Sequence, residues 1–368
     1  MKILRKYVLK EFITPFILSL AVLLFIFSLV FLTQYTALII NKGVEVFSVG
    51  KLFFYSLFYP LSFILPLAIF TSVLWSMGRI SSDNEITAIK AAGINLMHIV
   101  MPVITLGLMF SLFMVIFNTT IMPKANFEKR RAMLDIGFKN PTATLEAGTF
   151  IDSFQKYILF IYKIEGNKLE NIRIYEPQGP GKPARTIIAK KGEFISLPEQ
   201  GIIKLKLIDG SSDEPNPNDP NMFYKLNFKT YFINLNVAKP TNGKTVKKPK
   251  DMTLKELNEE IRRLAKSDMD YSPLSIEIQT KISLAFACLI LALIGCPLSM
   301  IAKQRLKSVN LGLGFVIFGI YYLLILGAGA LAKYLGLHGY PMPELAMWIP
   351  NIIFGLLGTI LTMLVCAF

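Results

Sequence analysis

The residue types that most often bind metals or act as nucleophiles are scarce and isolated in this sequence. There are only two histidines in 368 residues, and the three cysteines (Cys288, Cys296 and Cys366) all lie in apolar runs. None of them has the close Cys or His spacing that metal sites and redox motifs require. We therefore expect no metal site, no nucleophile–histidine pair and no bound cofactor.

One stretch, 238–245, matches a relaxed phosphate-loop pattern that ends in Gly243-Lys244-Thr245. Such a loop binds phosphate only when it leads into a helix, whose first N–H groups then face the anion. The residues that follow, Val-Lys-Lys-Pro-Lys at 246–250, cannot start that helix. We therefore predict that the chain has no ATPase site of its own.

The most informative polar stretch is Gly78–Gly93, which separates two apolar runs. Ser81 or Ser82 could cap a short helix here, because a hydroxyl accepts a hydrogen bond from the first free N–H groups. Asp83 and Glu85 would then lie in the first turn, where a carboxylate complements the helix dipole. The stretch therefore predicts a short helix joined at both ends to longer apolar ones.

The rest of this short helix has an apolar face and a defined end. Ile86, Ile89 and Lys90 would extend one face, and Gly93 suits the left-handed residue that ends a helix. Two interpretations remain open. The helix is either a solvated turn that reconnects two spans, or a rigid lever through which another protein pushes on them.

The elements that must position this helix are membrane spans. Hydrophobic residues make up 53% of the chain, and the mean hydropathy is +0.50. Charged residues make up only 17%, whereas they are roughly a quarter of a typical soluble protein. A span needs about 20 mostly apolar residues. Six stretches qualify: 12–33, 52–76, 97–121, 278–301, 311–332 and 345–366.

The basic residues of the short loops predict the orientation of these spans. The loops on one side carry nine: Lys2, Arg5, Lys6, Lys10, Arg79, Lys90, Lys303, Arg305 and Lys307. Those on the other side carry three: Lys42, Lys51 and Lys333. The positive-inside rule then places both termini in the cytoplasm. The long segment 122–273 carries 26 basic and 19 acidic residues and so half of the net charge of +14, but long domains cross the membrane largely regardless of charge, so it does not contradict this orientation. No nucleic-acid partner is expected.

The segment 122–273 lies between spans three and four, on the outer side. It is expected to open with a helical continuation at 123–135, after which apolar and polar residues alternate with a period of two. In its clearest strand, Ile203, Leu205 and Leu207 alternate with Lys204 and Lys206. Successive strands with tight turns predict an antiparallel sandwich or jelly roll. We expect strands at 157–164, 171–176, 185–190, 192–197, 201–208 and 224–235, and a loop at 209–220.

A further helix is predicted at Thr253–Ala265. Thr253 and Glu256 have the spacing of a capping box, and Leu254, Leu257, Ile261 and Leu264 form one apolar face. Two placements remain open: packed on the β domain, or lying on the membrane surface.

The stretch 84–93, Asn-Glu-Ile-Thr-Ala-Ile-Lys-Ala-Ala-Gly, resembles the loop that lipopolysaccharide-export permeases of the LptF/LptG (YjgP/YjgQ) type write as a Ser/Glu–hydrophobic–x–x–hydrophobic–x–Ala–x–Gly run. The resemblance extends to the whole chain: a basic start, three spans, a β-rich outer domain and three more spans. In this chain Glu85 matches the family's coupling-helix glutamate and Gly93 its closing glycine.

The resemblance implies three parts: spans 1–121 with a coupling helix at about 79–93, a periplasmic jelly-roll domain at 122–273, and spans 274–368. It implies a non-enzymatic permease of a Gram-negative-type inner membrane that extracts lipopolysaccharide and passes it to a periplasmic bridge protein. Its partners would be a second permease of the family, membrane lipid and a cytoplasmic ABC ATPase dimer. The expected ATPase contacts are Arg79, Asp83, Glu85, Ile86, Ala88, Ile89 and Gly93.

The expected lipid path combines cations near the outer membrane surface with the inner strands. Family members often have several basic residues at the outer end of the first span, but 34–38 contains none. Lys281 is four residues after Glu277, which fits either a local ion pair or a cation facing a cavity. The predicted path residues are Gln34, Lys42, Lys51, Lys281, Ile203, Leu205 and Leu207.

Two other classes of function remain as alternatives. One is a membrane-anchored sensor or scaffold whose outer domain binds a ligand, although no cytoplasmic output domain follows the sixth span. The other is a permease for a different lipid or for a lipoprotein. A membrane-embedded hydrolase is disfavoured, because no Ser/His/Asp or His/Glu set converges at membrane depth.

Overall fold

The computed structural model describes residues 2–367 except 155–156, 167, 178–184, 198–201, 217–218, 236–246, 268 and 302–306. Contacts between residues divide the chain into two compact units. Unit 1 comprises Met1–Val30, Tyr55–Phe127 and Lys247–Phe368, and unit 2 comprises Phe31–Phe54 and Glu128–Val246.

Helices dominate unit 1. Within the described residues, six apolar helical stretches are long enough to cross a membrane, as the sequence predicted. The second stretch is formed by α2 with α3, and the third by α5, a π-helical turn at Phe117–Ile121, and α6. The α-helices are α1 Lys2–Ile40, α2 Val46–Ser56, α3 Phe58–Ser82, α4 Glu85–Ala91, α5 Met97–Ile116, α6 Met122–Lys139, α7 Leu254–Lys266, α8 Ser272–Ile301, α9 Lys307–Leu337 and α10 Ile349–Ala367.

Helix α8 is the centre of unit 1, where it packs against α3, α5 and α10. Ala292 of α8 lies in one buried cluster with Met77 of α3 and Ile99 of α5. A small residue permits the close approach of α5, because a Cβ on Gly107 would lie 2.9 Å from the Cβ of Ala292. Small residues play this role between membrane helices generally, since they let two backbones come close enough for van der Waals packing.

Unit 2 contains one antiparallel sheet in which each strand pairs with its neighbours in the sequence. Its inner residues form a single buried apolar cluster that includes Leu159, Ile174 and Ile187. The inserted all-β domain predicted from the sequence is therefore confirmed. The strands are β1 Phe150–Phe154, β2 Tyr157–Glu165, β3 Lys168–Glu176, β4 Arg185–Leu197, β5 Ile202–Asn216 and β6 Asp219–Leu235.

A crease crosses the sheet at Asn171 of β3 and Asp209 of β5. Both residues are left-handed, with φ of +51° and +52°, and on either side of them the buried positions follow different alternations. They lie at the same level of the sheet, because Ile208 pairs with Lys191 and Lys191 with Glu170 beside them. Asx residues tolerate this conformation better than other side chains, so the strands change face without ending.

The sheet is folded so that its two halves meet. Arg185 and Gly192 are seven residues apart on β4, roughly 20 Å in a flat strand. Gly192 pairs with Leu207, and Leu207 with Tyr231. Tyr231 therefore lies at the level of Gly192, and in a flat sheet it would be too far from Arg185 for contact. The Arg185 guanidinium nevertheless donates a 3.4 Å hydrogen bond to the Tyr231 hydroxyl. The sheet therefore closes over its own inner face.

Three local predictions for this domain were wrong. The segments 185–190 and 192–197 form the single strand β4, and β1 was not predicted. The loop expected at 209–220 is mostly strand, because β5 continues to Asn216 and β6 begins at Asp219. The turn chemistry of Asp209 was read as a break, whereas its left-handed backbone only shifts the face of the strand.

Helix α7 belongs with the membrane helices of unit 1. It packs against α8, and its Leu257 side chain is fully buried. The predicted capping box is confirmed, since the Glu256 carboxylate accepts a 2.9 Å hydrogen bond from the Thr253 backbone N–H. Partial burial opposes ionisation of Glu256, but hydrogen bonds from Lys247 and Thr253 outweigh it and lower the pKa of this carboxyl group.

Candidate functional site

The short helix predicted between two spans is present as α4, but it begins later than expected. Ser81 and Ser82 belong to the last turn of α3, and Asp83 is the C-cap of that helix. Asn84 is left-handed, with φ of +59°, and reverses the chain so that Glu85 is the first residue of α4. The predicted serine cap was therefore wrong, because α3 extends through both serines before the turn.

The other end of α4 has a Schellman motif. Gly93 is left-handed, with φ of +73°, and its N–H donates to the Lys90 carbonyl while the Ile94 N–H donates to the Ile89 carbonyl. These two bonds satisfy carbonyls that a helix end leaves free. The left-handed turn at Asn84 and this motif fix both ends of α4, so a helix of only two turns keeps a defined direction.

The two sides of α4 differ in burial. Ile86 and Ile89 pack against the buried cluster of unit 1, which also receives Leu4 and Tyr7 from α1. The opposite side is exposed and consists largely of small side chains: Thr87, Ala88, Ala91 and Ala92. A second protein could therefore approach the backbone of α4 closely on this side.

The Glu85 carboxylate is held by α1. The Tyr7 hydroxyl donates a 2.9 Å hydrogen bond to Glu85 Oε1, and both side chains are half-buried. These residues are 78 positions apart, so no local sequence pattern connects them. Glu85 thus combines a place in the first turn of α4 with an anchor on a different helix.

Arg79 makes the second polar link between these helices. Its Nη1 lies 2.6 Å from Glu11 Oε2 of α1, and its Nε lies 3.5 Å from Asp83 Oδ2. Sequence reasoning placed Arg79 and Asp83 near the site but missed Glu11 and Tyr7. One signal was available, because Glu11 is the only acidic residue in the basic segment 1–11.

Lys281 is enclosed by protein. Its side chain is 2% exposed, and its ammonium donates a 2.6 Å hydrogen bond to the Met252 carbonyl and lies 3.9 Å from Glu277 Oε1. Asn118 of the π-helical turn donates to the Lys281 backbone carbonyl and accepts from Ser62. These contacts join α3, the π-helical turn, α8 and the chain before α7 around one lysine.

The predicted path residues Gln34 of α1, Lys42 of the turn after α1 and Lys51 of α2 have different surroundings. The Lys42 ammonium donates hydrogen bonds of 2.8 and 2.6 Å to the carbonyls of Thr142 and Leu145, and burial lowers its pKa. Gln34 and Lys51 have exposed side chains. Lys42 therefore ties the turn after α1 to the chain before β1.

The predicted inner strand residues lie in the core of the sheet. Leu205 and Leu207 are fully buried, while the side chains of Lys204 and Lys206 are partly exposed on the other face. The side chain of Ile203 lies outside the described residues. The odd-numbered leucines thus face the interior of the sheet, as the predicted lipid path requires.

The inner face of the sheet reaches the surface at β6, which sequence reasoning missed. Ile187 and Ser212 are buried and pair with each other, and Ser212 pairs with Leu226. Leu226 is 54% exposed, although it belongs to the same inner row. Tyr224, which lies on the same face of β6, is 58% exposed, so two large side chains of this row reach the surface at the last strand of the sheet.

No group of three or more potential metal ligands occurs among the described residues. The candidate site thus consists of the α1–α3–α4 contacts in unit 1 and the inner face of the sheet in unit 2.

Comparison with known proteins agrees with this architecture. The family model described as "Lipopolysaccharide export system permease LptF/LptG" matches residues 6–364. Among curated proteins, the lipopolysaccharide export system permease proteins LptF of Escherichia coli K12 and of Shigella flexneri are each 21% identical over 303 residues. Each alignment covers 82% of this chain and 78% of the relative.

Proposed function

The chain belongs to the LptF/LptG family of lipopolysaccharide export system permeases, and on that premise we propose how it works. It is the multi-pass inner-membrane component of a transporter, driven by a separate cytoplasmic ABC ATPase dimer that binds α4. It pairs with a second permease of the family, takes lipopolysaccharide from the membrane and passes it to a periplasmic bridge protein through the interior of its β domain.

The observation that carries this proposal is the construction of α4. Both of its ends are fixed, one side packs on the buried cluster of unit 1, and the other side exposes small side chains. A solvated reconnecting turn needs none of these features. A lever needs all of them, because a push on the exposed side must move the spans and must not bend the helix.

The β domain supports the lipid half of the proposal. Each CH₂ group that leaves an apolar environment for water costs about 0.8 kcal/mol, so acyl chains require a continuous apolar path. The inner face of the folded sheet is apolar and reaches the surface at Leu226. The fully buried Leu205 and Leu207 would separate from the opposite half of the sheet to admit a chain.

The first prediction concerns orientation. A cysteine at Thr87, on the exposed side of α4, should react only with reagent supplied from the cytoplasm, and one at Asn227, on exposed β6, only with reagent from the periplasm. The half-buried Cys366 is replaced by serine so that the native chain contributes no labelling of its own at this position. Labelling of both sites from one side would contradict the proposed topology.

The second prediction tests the lipid path. A photoreactive amino acid at Leu226 should crosslink lipopolysaccharide when the complete transporter hydrolyses ATP, because this position continues the inner row. Asn227 is the matched control, since it is also exposed but points to the opposite face of the same strand. We expect at least fivefold more lipid adduct at Leu226.

Equal amounts of adduct at Leu226 and Asn227 would mean that lipid contacts only the outer surface of the domain. No adduct at Leu226 during transport would exclude an exit through this row. Either result would refute the path while leaving the membership of the family untouched.

A further inference from the structure

The first three turns of α1 are fixed to α3 and α4 by more than apolar packing. Tyr7 and Glu11 are four residues apart and therefore lie on one face of the helix. Tyr7 donates to Glu85 at 2.9 Å, and Glu11 accepts from Arg79 at 2.6 Å. Arg79 lies just before the α3–α4 turn, and Glu85 lies just after it.

Buried residues fill the space between these two polar contacts. Val8 and Phe12 of α1 are each 1% exposed and belong to one cluster with Met77 and Ile80 of α3. In addition, the Ser72 hydroxyl donates a 2.6 Å hydrogen bond to the Phe12 carbonyl. The amino-terminal part of α1 is thus enclosed on the side that faces α3 and α4.

The same helix is much more exposed further along unit 1. The large side chains of Leu18, Val22 and Phe25 are between 49% and 64% exposed. In unit 1, therefore, the described polar contacts and full burial of α1 concentrate in its first twelve residues. Within unit 1, a displacement of α3 and α4 therefore acts on α1 through its amino-terminal end.

We propose that Tyr7 and Glu11 form a two-point clamp that couples α4 and the adjoining end of α3 to α1, so that a displacement of α4 by the ATPase is carried directly into the first span. Two contacts are needed, one on each side of the α3–α4 turn, because a single contact would act as a pivot and let the turn rotate without moving α1. Tyr7 and Glu11 are positioning residues, since they act through Glu85 and Arg79. This inference rests on the proposed function.

The test is Tyr7→Phe, which removes one hydroxyl and leaves the apolar packing of the ring. It is measured in the reconstituted transporter as lipopolysaccharide released per ATP hydrolysed. We expect the variant to assemble with the ATPase and hydrolyse ATP, while release per ATP falls at least fivefold. Tyr340→Phe, at a 57% exposed tyrosine, is the matched control and should equal the wild type. A merely structural hydrogen bond would change thermal stability and leave this ratio intact.

A double-mutant cycle examines the second contact. Glu11→Gln and Arg79→Gln should each lower release per ATP, and the double variant should lose no more than either single one, because both remove the same pair. Wild-type release per ATP in Tyr7→Phe and Glu11→Gln would overturn the clamp. A wild-type complex that hydrolyses ATP without releasing lipid would instead overturn the proposed function, and the inference with it.

Discussion

Glu85→Ala should lose most of the bound ATPase or most of the lipid release, while the six spans still insert and the β domain still folds. If Glu85 only complements the helix dipole, its loss costs about 0.3–1 kcal/mol. If it meets a basic residue of the ATPase in a groove that excludes water, truncation costs about 2–5 kcal/mol. At about 1.4 kcal/mol per tenfold change, the second case weakens association at least roughly 25-fold.

Glu85→Lys should be worse than Glu85→Ala, because it adds repulsion toward a basic partner and also places an ammonium beside the basic start of α1. The measurement is the amount of ATPase that co-purifies with each variant and the lipid released by proteoliposomes. Glu259→Ala, which removes an exposed glutamate from α7, is the control and should equal the wild type. Wild-type assembly and transport in both Glu85 variants would refute a coupling role for this residue.

Lys281→Met should destabilise unit 1 strongly. It removes the 2.6 Å hydrogen bond to the Met252 carbonyl and leaves the Glu277 carboxylate, whose side chain is 17% exposed, without its nearest cation. Breaking a buried pair by removing one partner costs about 3–5 kcal/mol. The expected result is a thermal unfolding midpoint that is lower by several degrees in detergent.

The double variant Lys281→Met/Glu277→Gln should recover a large part of this loss, because it no longer buries an unpaired charge. Lys255→Met is the matched control, since it makes the same substitution at an exposed lysine of α7. A single variant as stable as the control would show that the contacts of Lys281 contribute little. Normal stability with lost lipid binding would instead favour a cation that faces a cavity.

The sequence by itself determined the architecture. A span must satisfy its backbone hydrogen bonds internally and must be about 20 apolar residues long, so hydropathy alone located all six. The period-two alternation of Leu205 and Leu207 with Lys204 and Lys206 predicted a strand with one buried face, and the burial of the two leucines confirms it. Gly93 predicted the end of α4 for a local reason, since a left-handed residue strongly favours glycine.

The same local reasoning failed where a neighbouring element decided the outcome. Ser81 and Ser82 are good caps in isolation, but α3 continues through them, because Ile80 is packed in the buried cluster of unit 1. Asp209 looked like a loop residue, yet the pairing of β4, β5 and β6 on both sides of it keeps the strand intact. In both cases hydrogen bonds and burial from distant segments outweigh a local preference, which for a serine N-cap is worth about 1 kcal/mol.

The i,i+4 pair of Lys281 with Glu277 could be read from the sequence, but only the tertiary structure decided the distant partners of the charged residues. Glu85 lies 78 positions from Tyr7, Arg79 lies 68 from Glu11, and Lys281 lies 29 from Met252. No periodicity connects such positions, because helical and strand patterns report only neighbours within a few residues. Their meeting depends on how α1, α3, α4 and α8 pack, and packing arises from shape and burial summed over whole helices. The sequence thus determines which elements form, whereas the packing of those elements determines which side chains can work together.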